Sequence, residues 1–166
     1  METTTGATAG PYVLSEGEGE AIWYVNNRAT IKARAAQTGG AFGLVEMLVA
    51  PNHPIPLHIH HAEDEALWVL EGQLTVRAGD RTYTAGPGSL IFGPKDVPHT
   101  FRVDGATQAR LLVLMVPGGG EEFFVEAGRP AEDNGLPQPQ PPDLARLQTM
   151  TEKYDQEVVG PPLPPA

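Results

Sequence analysis

The chain has 166 residues, no cysteine, and 21 acidic against 11 basic side chains, for a formal net charge of −10. That length suits one domain with a real core, and the acidic balance argues against nucleic acid and anionic membrane as partners. No apolar run reaches membrane-spanning length, no basic-then-apolar signal pattern opens the chain, and disulfides are excluded, so a cytoplasmic location is the default expectation.

Met1–Gly10 is small and polar and reads as a disordered N-terminus, ahead of a β domain over residues 11–118. Short β-type runs then alternate with turns: Ala21–Val25, Ala29–Ala33, Phe42–Val49, Ala66–Leu70, Leu74–Arg77, Arg81–Thr84, Ser89–Phe92, Thr100–Val103 and Ala109–Val116. Gly79-Asp80 reads as a hairpin turn. Many short strands without an internal repeat predict an all-β sandwich or barrel. Trp23, Trp68 and Phe42 are expected as core or dimer contacts, and Glu46 interrupts an otherwise apolar strand. Exposed along an edge, Ala21–Val25 would be a strand that soluble proteins avoid, which makes it the candidate for joining a partner's sheet.

The pattern changes after Gly118-Gly119-Gly120, and residues 119–166 read as a helical and proline-rich extension. Glu121–Ala127 opens with acids, as a helix start favours, and ends at Gly128. Nine of the 17 prolines lie beyond Gly128, which predicts an extended connection. Leu144, Leu147 and Met150 then recur at helical spacing in Asp143–Met150. Pro161–Pro165 has no pattern of regular structure. The extension would serve either as a lid over the barrel mouth or as cover for a sheet edge.

The chemistry concentrates in His58-Ile59-His60, Glu65 and His99. Side chains at i and i+2 of a strand share a face, so His58 and His60 can address one ion. Glu65 lies at an odd separation from both, which requires a turn, and His61–Asp64 is polar enough to form it. Three imidazoles and a carboxylate suit one divalent transition metal per chain: iron, manganese, cobalt, nickel or zinc. His53 and His61 are expected at the surface. Glu63 and Asp64 are expected to solvate the turn, with a role as partner to a ligand histidine as the alternative.

His58, His60, Glu65 and Gly72 reproduce the spacing of the first motif of the cupins, and Gly88 through Pro98-His99 resembles the second. Asp96 stands where the family usually has glycine. Together with Pro56-Leu57-His58, Ala66–Gly72, Glu-Phe-Phe and the Ala-Gly-Arg-Pro-Ala-Glu segment of the tail, the chain resembles bacterial single-barrel quercetinase-like cupins. The resemblance implies a cupin-type double-stranded β-helix, a jelly-roll barrel with a short C-terminal helical extension, and a two-fold homodimer paired through an N-terminal strand, here Ala21–Val25. It also implies a metal-dependent dioxygenase that uses O2 on a small flavonol-like or other enolic aromatic or polyketide substrate. Glu65 is then the candidate catalytic base as well as a ligand, with metal charge working against its basicity. Strand alternation makes Leu67, Val69 and Phe101 candidate substrate-pocket residues. Rival readings are a metal that only stabilises the barrel, a metal-dependent isomerase, cyclase or hydrolytic enzyme that does not use O2, and a non-catalytic binding cupin.

Overall fold

Period-two alternation of apolar and polar side chains builds two facing layers, and the fold follows from which strands pair. The structure, a computed structural model, describes residues 10–166; of the expected disordered segment Met1–Gly10, residues 1–9 lie outside the described residues. Numbering the strands in chain order, one sheet runs β11 (Arg129–Pro130), β1 (Glu20–Tyr24), β2 (Asn27–Ala33), β3 (Gly43–Val49), β10 (Ala109–Val116), β5 (Asp64–Glu71) and β8 (Leu90–Gly93). The second runs β12 (Gln156–Gly160), β4 (Leu57–His60), β9 (His99–Val103), β6 (Leu74–Ala78) and β7 (Arg81–Ala85). Every pair is antiparallel. This is the expected all-β jelly-roll barrel. Its core lies between the sheets, where alternate residues such as Val45, Val69, Leu111, Leu74 and Val103 are almost fully buried.

Two glycines show why the barrel turns where it does. Gly72 lies at φ +93°, a left-handed conformation that ordinary side chains rarely adopt, and a Cβ there would come 2.8 Å from that of Ala109. Gly79 at φ +57° makes the two-residue turn between Ala78 and Arg81, as the sequence predicts.

Three helices are short: α1 (Ala35–Thr38), α2 (Glu121–Ala127) and α3 (Leu144–Lys153). Glu121 at the start of α2 is wholly buried, and its carboxylate accepts from the backbone N–H groups of Ala35 and Gly119 at 2.5 and 2.7 Å. Asp143 caps α3 by accepting from Arg146 N–H. The apolar stripe expected on this helix is shallow, because Leu144 is 72% exposed and only Leu147 and Met150 are half-buried. Among the described residues no helix is long and apolar enough to cross a membrane.

One expectation about an edge changes. The outer side of β1 is taken by the chain's own Arg129–Pro130 rather than left open. Trp23 is 8% exposed, donates from Nε1 to the Gly135 carbonyl and lies under the Arg129 guanidinium, so the Ala21–Val25 run is not the open edge that its sequence alone suggests. The tail likewise adds β12 to the outer side of β4. Exposed apolar side chains gather instead on the outer face of β5 and β8, where Trp68, Leu90 and Phe92 stand in adjoining register. Glu46 points outward between Lys32 and Arg110, away from the barrel interior.

Candidate metal centre

The four residues singled out by spacing converge. His58 and His60 come from β4, His99 from β9 directly opposite His58, and Glu65 from β5 in the facing sheet. Two sheets therefore contribute to one interior cluster, with all ligating atoms within 4.8 Å of one another. The three ring centroids lie 4.6, 5.1 and 5.3 Å apart. His60, Glu65 and His99 are buried, and His58 is partly so. The turn before Glu65 is shorter than expected, since β5 already begins at Asp64.

Each imidazole is oriented by its second nitrogen. His58 Nδ1 lies 2.9 Å from the Pro56 carbonyl and His99 Nδ1 lies 3.0 Å from that of Val97. Carbonyl oxygens only accept, so both rings carry a proton on Nδ1 and turn Nε2 toward the cluster. His60 does the same by donating from Nδ1 to Glu63 Oε1 at 2.6 Å. Its Nε2 is buried with no hydrogen-bond partner among the described residues, a costly state that an ion would relieve.

Distances fit an ion as well. Bonds of ~2.1 Å at right angles put neighbouring donors about 3.0 Å apart and opposite donors about 4.2 Å apart. His99 Nε2 lies 3.0 Å from Glu65 Oε2, and His60 Nε2 lies 4.0 Å from Glu65 Oε1. Gly93 leaves the space the His99 ring occupies, for a Cβ there would come 3.2 Å from Nδ1.

The electrostatics suit a cation. Burial, with the nearby His99 second, lowers the pKa of His58 to about 4, so this ring is neutral and ready to ligate. Burial also works against the Glu65 charge, but His60 and His99 outweigh it and hold the carboxyl at about 2. Burial opposes a charged His99 too, yet the hydrogen bond and charge of Glu65 raise its pKa above the ordinary value. Without an ion, His99 and Glu65 thus form a buried pair whose proton must leave when metal binds.

The remaining candidates separate clearly. Leu67, Val69 and Phe101 are buried on the inward faces of β5 and β9, as members of the packed core. His61, also expected at the surface, is partly exposed between Asp96 and Glu157, 2.6 and 3.0 Å away. Asp96, where the family favours glycine, has φ +65°, which explains that preference and why an aspartate is tolerated. His53 is half-buried rather than at the surface, and burial lowers its pKa to about 4. Glu63 follows the alternative expected for this turn, since it is 3% exposed and bonded to His60, a candidate ligand, rather than solvated. The signal that decides between the two expectations is alternation: Glu63, Glu65, Leu67 and Val69 occupy every second position and are all buried.

Residues 45–116 match the family described as Cupin domain. The chain is 30% identical over 152 residues to quercetin 2,3-dioxygenase of Bacillus subtilis (strain 168), covering 91% of this chain and 45% of that protein. It is 32% identical over 83 residues to Protein SchB of Streptomyces halstedii, covering 50% of this chain and 59% of the other. The chain thus spans about half the length of these curated relatives. Among solved structures, the polyketide cyclase RemF from Streptomyces resistomycificus is similar with a TM-score of 0.56 and 25% identity, over 64% of this chain and 80% of that one.

Proposed function

The chain belongs to the cupin family, and on that premise we propose that it is a metal-dependent dioxygenase of the quercetinase-like type. Its substrate would be a flavonol-like or other enolic aromatic or polyketide compound, consumed with O2. The observation that carries this reading is the interior cluster of His58, His60, Glu65 and His99, set within a chain similar over 91% of its length to a quercetin 2,3-dioxygenase. A cytoplasmic location belongs to the same reading.

When bound, a divalent ion would supply positive charge that acidifies an enol, and coordination positions that four protein ligands leave open. His58, His60 and His99 would hold it through Nε2. Glu65 is proposed to accept the enol proton. Its carboxyl lies at about 2 while paired in the cluster, so it becomes an effective base only by loosening from its neighbours. Leu67, Val69 and Phe101 are proposed as the apolar wall that keeps water from the reacting carbon atoms.

O2 uptake by the metal-loaded protein across a panel of flavonols and polyketide enols tests the proposal, with gas analysis for carbon monoxide. Uptake stoichiometric with substrate loss is expected. The similarity to a polyketide cyclase favours one alternative, in which the ion acts as a Lewis acid and no O2 is consumed. Undiminished substrate consumption under anaerobic conditions would select that reading. Substrate binding without turnover under either condition would leave a binding cupin.

A further inference from the structure

Three ligand histidines are oriented in two different ways. His58 and His99 each donate from Nδ1 to a neutral backbone carbonyl two residues earlier, at 2.9 and 3.0 Å. His60 alone donates to a carboxylate, Glu63 Oε1, at the shorter distance of 2.6 Å. Such a bond to a charged acceptor is the stronger kind. It fixes the tautomer, holds the ring plane, and raises electron density at Nε2, the atom left buried without a partner.

A space is kept for this carboxylate. Glu63 is 3% exposed although it lies between the exposed Ala62 and the partly exposed Asp64. A Cβ at Gly120 would come 2.9 Å from Glu63 Oε1 and 2.7 Å from Met115 Sδ, so glycine at that position leaves room for both groups. Gly120 has φ −63° and ψ −23°, which any residue can adopt, so the space rather than the backbone explains the glycine.

We propose that Glu63 is a positioning residue for the metal centre, acting through His60. It directs the His60 Nε2 at the ion and adds a second buried negative charge beside Glu65. The formal charges of a divalent ion, three neutral imidazoles and two carboxylates then cancel, which suits a buried site. This inference rests on the metal reading above.

The test uses zinc as the probe, with affinity measured by chelator competition and the imidazole N–H protons followed by NMR. Glu63→Gln keeps the size and an accepting oxygen but removes the charge. Its zinc affinity is expected to fall about 10- to 100-fold. In the zinc-loaded wild type, the His60 Nδ1–H resonance should lie farther downfield than those of His58 and His99. In Glu63→Gln it should move upfield while the other two stay. Gly120→Ala, which leaves every charge in place but crowds the carboxylate, should give an intermediate affinity. Wild-type binding with Glu63→Gln within about threefold and an unmoved His60 resonance overturns the Glu63 role and leaves the metal reading intact. A wild type that binds no divalent ion overturns both. Should Glu63→Gln not fold, the wild-type spectrum decides: three alike Nδ1–H resonances overturn the proposal, and a distinct His60 resonance upholds it.

Discussion

Ending the chain at Asp155 removes β12 and with it the main support of the strand that carries two of the candidate ligands. β4 meets β9 at a single register position, His58 opposite His99, whereas β12 pairs with it at His60, Ile59, His58 and Leu57. A further bond, from Leu57 N to the Pro161 carbonyl, lies beyond the cut. At roughly 0.5–1.5 kcal/mol net for each bond, the lost ladder is worth on the order of 3 kcal/mol, or about a hundredfold in an equilibrium. None of the β12 residues is buried, so the core between the sheets stays whole and the loss is local to β4. Zinc affinity of the 1–155 protein should therefore fall by about that factor, and amide hydrogen exchange should accelerate at residues 57–60 while β3 and β10 stay protected. Wild-type zinc affinity in the truncated protein, together with reduced turnover, would refute this argument and favour the lid reading of the tail.

Glu65→Gln should lower metal affinity by more than the ~10- to 100-fold typical of an outer partner, while His53→Ala leaves it unchanged, as metal analysis after dialysis will show. If Glu65→Gln keeps its metal and loses only turnover, its role as proton acceptor gains over ligation. For the metal-free protein, His53 and His58 have folded pKa values of about 4 against 6.5 unfolded, so between those values the unfolded chain binds more protons and stability falls as pH drops. Glu65, at about 2 against 4.5, extends the loss to lower pH, whereas His99, raised by Glu65, loses its contribution as pH rises above 6.5. Thermal midpoints in chelator should thus decline from pH 6.5 to 4, and His53→Asn should flatten that limb. The outer side of β5 and β8 offers an exposed apolar face for the expected homodimer; if it is the interface, Trp68→Glu with Phe92→Glu should give a monomer by light scattering without a change in metal content.

Local alternation made most of the barrel legible. β10 has the bounds its apolar run predicts, Ala109–Val116, because every second residue packs into the core. β12 carried no such signal. Gln156–Gly160 is an edge strand with no buried residue, and its partner β4 lies about a hundred positions earlier, so no local period marks it. The same holds for Arg129–Pro130, a two-residue strand whose only role is to cover β1. Both elements exist because of what they cover, a property of the assembled fold rather than of their own sequence.

The site divides along the same line, with one exception that was readable. The four candidate ligands were visible because two motifs specify residue type and spacing together, and the fold then brings both sheets to one point. Glu63 belongs to no motif, and an acid beside Asp64 in a polar turn reads first as solvated and only second as the partner of a histidine. Yet stepping back by two from Val69 and Leu67 through Glu65 reaches Glu63 on the same inward face. An acid in phase with a core-facing row must be partnered or neutral, because an unpaired buried carboxylate is too costly to keep. His60, three positions earlier, is the partner that its Nδ1 geometry supplies. The phase of the strand therefore points to the residue, and the chemistry of burial to its role.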